Sequence, residues 1–455
     1  MQSSSSPPLR KRERFISSND TQVSSGYTPP SSSSRSPLRA LSYAQFRIFW
    51  IASLMSIVGF FMTNIVRGWL ILDMTDSPFM VTAINGVGML PMLVFSAFGG
   101  VIADRMSRKL ILIFSDLFSF AVLLILAALV VANIVQVWQV FFLTVLHGTG
   151  FALGMPSRAA SVGNILSSKD LPSGVALFTT IFSAAQLLGP ALAGYLINAF
   201  GMGVPFVVAF VLLIPAIALI NTLKISNPAG GHGVENSLSV LKSIGQGIAY
   251  VRHSPILMGL LVFGLSATVF ALPYQVMLPV FARDVLQVGA DGLGVMGGVT
   301  GAGAIAGSLG VAVFSSPGQL RRLMLVGGLG LGIAIVLFAF STIYQLSLLL
   351  LFFTGFLFQI FMTSNFTLVQ VIAPDYIRGR VLSLRMIALG LGPIGMFSLG
   401  AAAEVFGAPM ATAVMGAIAL VLAAVILIAV PSLRRVEAQA DEQIAEMETL
   451  PKLTD

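Results

Sequence analysis

The feature that most constrains this chain is a succession of long apolar runs, separated by short polar breaks, from about Gln45 to Pro431. A hydrocarbon layer of about 30 Å needs about 20 residues of helix at a rise of about 1.5 Å each. Twelve runs meet that length, near 46–72, 77–103, 110–132, 137–158, 174–199, 203–223, 255–282, 292–315, 322–341, 345–371, 383–404 and 408–431. An open-ended segment in lipid satisfies its backbone polar groups only as a helix, and the period-two alternation of a membrane barrel is missing. Of the 455 residues, 56% are apolar and 9% charged, which is far too oily for a water-soluble globule. The expected fold class is therefore all-α, a polytopic membrane protein with twelve transmembrane helices. An ordinary cytosolic enzyme is excluded. Cysteine is absent, so disulfides, thiol nucleophiles and cysteine metal sites are excluded as well.

Charge tests the helix count independently. With the even-numbered breaks and both tails on one face, that face holds 23 of the 25 basic residues, and only Arg67 and Arg283 fall outside it. The positive-inside rule then places both termini and those loops in the cytoplasm, in a cell (inner) membrane. The net charge of +7 is explained as topology, and nucleic acid is not an expected partner. Residues 1–45 read as a disordered, basic, Ser/Pro-rich cytoplasmic tail without the apolar run of a cleaved signal, so the first span serves as its own insertion signal. The rest divides into a bundle of six helices over 46–223, a cytoplasmic linker over 224–254, a second bundle over 255–431 and a C-terminal tail over 432–455.

In the linker, Leu241, Ile244, Ile248 and Val251 share one helical face opposite Lys242 and Gln246. A short amphipathic helix on the cytoplasmic surface is expected, either as a tether or as a regulatory element. The halves echo each other, since Leu188-Gly189-Pro190 recurs as Leu391-Gly392-Pro393 at an offset of 203. A duplicated six-helix unit with a site between its repeats is a common architecture of secondary transporters. Small residues, including Gly294, Gly297, Gly301, Gly303 and Gly307, accumulate where two such halves would approach.

The strongest local motif is Gly100-Val101-Ile102-Ala103-Asp104-Arg105-Met106-Ser107-Arg108-Lys109. Asp104 can accept from a helix N-terminus or an arginine, and Arg105 and Arg108 can clamp a neighbouring helix end or carboxylate. Gly100, Asp104, Arg105, Arg108 and Lys109 are thus candidates for a conformational latch, the alternative being purely topogenic charges. In the fifth span Gly189, Pro190 and Gly194 mark a kink, with Gly392 and Pro393 as counterparts in the eleventh. Gly390-Leu391-Gly392-Pro393-Ile394-Gly395 matches a dinucleotide fingerprint in letters, but no strand precedes it.

The decapeptide resembles the loop motif of the major facilitator superfamily, usually Gly-x-x-x-Asp-Arg-x-Gly-Arg-Lys, with Ser107 in place of the second glycine. Leu-Pro-Val-Phe-Ala-Arg-Asp-Val-Leu (278–286) and Arg-Gly-Arg-Val-Leu-Ser-Leu (378–384) resemble the branch that includes the enterobactin exporter and drug-efflux carriers. The resemblance implies a single polypeptide of two bundles that rock about a central site. It also implies that Asp104 contacts the start of the eleventh helix near Ser383 to Arg385 in the outward-facing state. Gly189-Pro190-Ala191-Leu192-Ala193-Gly194 is similar to the antiporter signature of that superfamily, with Ala193 replacing one glycine; a generic packing kink is the alternative.

Ionisable groups within apolar spans are costly and stand as functional candidates by default. Asp116 could load and release a proton, or it could be a fixed partner for Arg105 or Arg108. His147 could relay protons or simply bond a neighbouring helix. Arg67, with Asn64 one turn earlier, could be a cavity cation or an anchor reaching the outer surface, where Arg283 and Glu404 are placed. Phe60, Phe61, Asn64, Gln186, Tyr274, Gln275, Phe358, Gln359 and Asn365 supply the aromatic and amide mixture that a pocket for an amphipathic solute needs. The expected function is proton-coupled efflux of a small amphipathic compound (a drug, siderophore or secondary metabolite) by a monomeric carrier without cofactor or metal. Uptake on the same fold, a transport-dead sensor and a membrane-embedded enzyme are its rivals. No nucleotide-binding Gly-x-x-x-x-Gly-Lys-Ser/Thr run occurs, and His147, His232 and His253 lie far apart in sequence.

Overall fold

The computed structural model describes residues 39–105, 107–167, 169–224, 237–312 and 317–429, without the side chains of 94–105, 237–244, 312, 317, 375 and 376. Residues 1–38 and 430–455, the linker segment 225–236, and the side chains of Asp104, Arg105, Leu241, Lys242 and Ile244 therefore lie outside the described residues, while the end of the expected N-terminal tail forms a short helix at Arg39–Ser42. Every described element is helical. The first half contains α1 (Ala44–Thr75), α2 (Pro78–Arg105), α3 (Arg108–Val131), α4 (Val137–Ile165), α5 (Leu171–Phe200) and α6 (Gly203–Thr222). A linking helix α7 (Ser237–His253) follows, then α8 (Pro255–Ser266), α9 (Tyr274–Val280), α10 (Gly289–Ala312), α11 (Pro317–Ala339), α12 (Tyr344–Ile372), α13 (Asp375–Gly390), α14 (Gly392–Phe406) and α15 (Ala408–Ala429). Eleven described helices are long and apolar enough to cross a membrane. The expected second span falls on α2, a continuous helix of 28 residues whose described apolar stretch is Pro78–Leu93.

Turn chemistry sets the boundaries. Helix α1 ends where Asp76 enters the left-handed region, and α5 ends at Gly201 with φ of 88°. Ser107 caps α3 by accepting from the Leu110 N–H at 3.1 Å, so the residue that departs from the loop motif does work that glycine could not. Replacing Ser107 with Ala should cost about 1 kcal/mol of stability, read from a thermal melt in detergent.

The eleventh span begins at Asp375 rather than 383 and is broken at Leu391, and two further spans differ from expectation. Helix α4 continues to Ile165 rather than stopping at 158, which carries Arg158 into the bundle. The seventh span is not one regular helix: five-residue π turns occupy Ala267–Ala271 and Phe281–Val285. Proline explains the first of them. Pro273 has no N–H for the Val269 carbonyl, and its ring crowds that carbonyl, so the helix widens there. Gly395 of α14 packs directly on the Val269 carbonyl, an approach a side chain would block.

Large apolar side chains cover the outside, with Phe114 58%, Trp138 63% and Val405 73% exposed. Such a surface is stable against hydrocarbon and not against water, so this is a multi-pass membrane protein. Helix α7 lies against α13, where a Cβ on Gly247 would stand 3.3 Å from the Arg380 Cβ.

Candidate functional site

The halves meet along two seams built from small residues. In the first, Gly189 of α5 backs onto α1 of its own half, where a Cβ would come within 2.9 Å of the Met62 nitrogen. Gly194, one turn further, faces α10, where a Cβ would stand 2.6 Å from the Gly294 Cα. The glycines around Pro190 thus serve opposite faces of one helix, and the second face is the contact between halves. In the other seam, Gly86 of α2 packs on Phe397, and Gly390 on Leu93.

Between the seams lies a cavity of about 610 Å3, its mouth included. Phe61, Asn64, Asn85 and Gln186 line it from the first half, and Gln275 and Thr300 from the second. Asn85 and Thr300 escaped the sequence analysis, although Asn85 carried the same signal as Asn64, an amide inside an apolar run.

A second, much smaller space lies inside the first bundle, among α1, α3, α4 and α6. There Asp116 forms an ion pair with Arg158 and accepts from Ser56 Oγ at 3.1 Å. Both residues are 4% exposed. The partner of Asp116 is therefore Arg158, a residue the charge count had assigned to a cytoplasmic loop; Arg108 instead donates to the Ala160 carbonyl at 3.1 Å and Asn164 Oδ1 at 2.7 Å. Arg158 Nη1 meets no acceptor among the described residues and borders the same space.

His147 also borders this space, and Arg67 Nη1 donates to its Nδ1 at 3.3 Å. A guanidinium can only donate, so that ring nitrogen is the unprotonated one. Arg67 donates in addition to Asn64 Oδ1. At 3% exposure, Arg67 does not reach the outer surface as an anchor would. It bridges the inner space, through His147, to the central cavity, through Asn64.

The remaining candidates separate by helical phase, since consecutive residues point about 100° apart. Phe60 stacks on Phe151 at 3.7 Å between ring centres and faces the inner space, while Phe61 faces the central cavity. Tyr274 turns into the core toward Phe338, 6.5 Å between ring centres, while Gln275 faces the cavity. Phe358 packs against the core, and Gln359 donates to Thr363 at 3.0 Å. Asn365 holds the Leu260 carbonyl at 2.9 Å and accepts from Arg385. Arg385 is 8% exposed, so it too leaves the set of loop charges. Gly392 and Pro393 open α14 just after the break at Leu391.

In the loop motif, Arg108 and Lys109 hold the last turns of α4 and α6, Lys109 through the Asn221 carbonyl. Cations at helix C-termini are favourably placed against the dipole. At the opposite end the halves are joined by side chains. Arg283 donates to the Leu72 carbonyl at 3.0 Å and pairs with Asp76 at 2.9 Å, and Glu404 accepts from Ser77 Oγ at 2.9 Å and from the Phe79 N–H at 3.1 Å. Glu404 thereby caps the start of α2 from across the seam.

The pattern of the transmembrane secretion effector family of major facilitator carriers matches residues 32–453 of this chain. The chain belongs to that family. Members are transporters and not enzymes. Among curated relatives, the multidrug efflux pump Tap of Mycolicibacterium fortuitum is 26% identical over 394 residues, covering 85% of this chain and 95% of the pump. The staphyloferrin A transporter of Staphylococcus aureus is 22% identical over 376 residues, covering 81% and 92%. The solved nucleoside transporter NupG superposes with a TM-score of 0.67 at 14% identity, covering 84% of this chain and 98% of that one. The secretion effector fold thus accounts for the whole helical region, with the cavity between its halves.

Proposed function

We propose that this chain exports a small amphipathic compound in exchange for protons by alternating access. The observation that carries this is the juxtaposition of a central cavity lined from both halves with a separately buried Asp116–Arg158 pair. The cavity offers apolar and amide contacts to a solute. The pair offers a carboxylate whose protonation releases a guanidinium and so alters how α3 and α4 hold together. Arg67 and His147 join the two spaces, so a change at Asp116 has a route to the cavity. The efflux pumps among the relatives favour the outward direction.

In this proposal the chain is a monomer in the inner membrane with both termini cytoplasmic, its bundles spanning 46–223 and 255–431. The end bearing Asp76 and Glu404 then faces outward and is closed. Opening it requires breaking the Arg283 and Glu404 contacts. Asp76 is 83% exposed, so its ion pair is worth under about 1 kcal/mol. Arg283→Ala should change transport rate by no more than about fivefold, read in the vesicle assay below.

The test uses everted membrane vesicles acidified inside, with a series of dansyl-labelled probes that are anionic, neutral or cationic. Accumulation of any member, with loss of the pH gradient on its addition, is expected. Accumulation only in right-side-out vesicles would mean uptake instead.

A further inference from the structure

We propose that the central cavity takes uncharged or singly anionic amphipaths bearing carbonyl or carboxylate oxygens and excludes organic cations, with Arg67 setting this choice through Asn64. This rests on the transport proposal above and names the substrate class of the same cavity.

Among the described residues no carboxylate lines the cavity; its polar wall is made of four amides and one hydroxyl, from Asn64, Asn85, Gln186, Gln275 and Thr300. The orientation of Asn64 follows from its partner. Arg67 can only donate, so it holds the amide oxygen of Asn64 and leaves the NH2 as the group available to a solute. That amide is a donor polarised by a cation behind it, which suits an oxygen acceptor and repels a positive head group.

The charge balance of the interior points the same way. Three guanidiniums are buried within the described helices, on Arg67, Arg158 and Arg385. Of these three, only Arg158 faces a carboxylate among the described residues, that of Asp116. Arg385 is held by neutral groups: Asn365 Oδ1, the Met362 carbonyl and the Phe366 ring at 4.9 Å. Among the described residues the interior thus carries two positive charges beyond neutrality, in a medium that screens them poorly. An entering cation meets the Arg67 charge through Asn64, whereas an entering carboxylate offsets it; Arg385 borders a separate space. Asp116 cannot serve as the acid for a cationic solute without releasing Arg158, and it borders the other space.

The experiment measures equilibrium binding to the purified full chain with three probes that share one dansyl group and end in a carboxylate, a carboxamide or a trimethylammonium. Excess unlabelled compound separates saturable binding from partition into detergent. The carboxylate and carboxamide probes are expected to bind at least about tenfold more tightly than the ammonium probe. Arg67→Gln should bring the three within about threefold. Gln275→Glu, which places an acid in the wall without touching Arg67, should turn the preference toward ammonium. Equal or tighter binding of ammonium by the wild-type chain, or no saturable carboxylate and carboxamide binding, overturns the proposal. A Gln275→Glu chain that still rejects ammonium also overturns it, and covers the case in which Arg67→Gln fails to fold. Binding is read without any gradient. Loss of proton-driven transport with carboxylate binding intact would therefore sink the export proposal and leave this one standing.

Discussion

Asp116→Asn is expected to destabilise the folded chain by about 3–5 kcal/mol, because it leaves the Arg158 guanidinium buried without its carboxylate. The expectation follows from the two residues being 4% exposed and facing each other inside one bundle. Removing both charges, as Asp116→Asn with Arg158→Gln, should recover most of that loss, since a neutral amide pair carries little of the desolvation cost of an ion pair. Melting of the three proteins in detergent checks the stability part. A single variant as stable as wild type would show that the pair is not an essential ionic contact. Function gives the sharper contrast. If Asp116 carries the exchanged proton, the double variant should bind solute as before and exchange it downhill. Gradient-driven accumulation should fall by about a hundredfold. Full accumulation by the double variant would remove Asp116 from the coupling step.

The second large effect concerns the seam between α5 and α10. A Cβ on Gly298 would lie 3.4 Å from the Ala191 Cβ, close to the separation a disulfide requires. The chain contains no cysteine, so an Ala191→Cys, Gly298→Cys pair would be its only pair of thiols. Oxidation should cross-link the halves on the closed side and abolish transport, and a reductant should restore it. The magnitude is set by geometry: alternating access requires this seam to part, and a covalent bond prevents it. The cross-link is seen directly as protection of the thiols from alkylation. Oxidised protein that is fully cross-linked yet transports normally would rule out opening at this seam. Gly310→Ala, at a position with nothing within 4 Å of the added Cβ, is a suitable unaffected control.

Much of the architecture was legible because lipid leaves a chain few choices. Each apolar run had to be helical, and its length had to match the hydrocarbon layer. Gly294, Gly297 and Gly301 of α10 do meet α5 of the other half, as expected, whereas Gly303 and Gly307 pack on α12 of their own half, so small residues mark close helix approach without naming the partner. What periodicity does not give is helical phase relative to neighbours. Phe60 and Phe61, or Tyr274 and Gln275, were equivalent as candidates, yet each pair divides between two environments. Arg158 was hidden for a related reason. It stands at the last residue of the expected fourth span, where a charge reads as the start of a loop, but α4 runs on to Ile165.

The amino-acid sequence by itself determined that this is a helical, multi-pass membrane protein, because the free energy of burying so much apolar surface admits no other class. Which ionised groups meet inside it was decided only by the tertiary structure. Asp116 and Arg158 stand 42 residues apart, and Arg67 and His147 80 apart, and nothing local to either member specifies its partner. A buried charge must find a counterpart or a donor, and whichever helix packs against it supplies one.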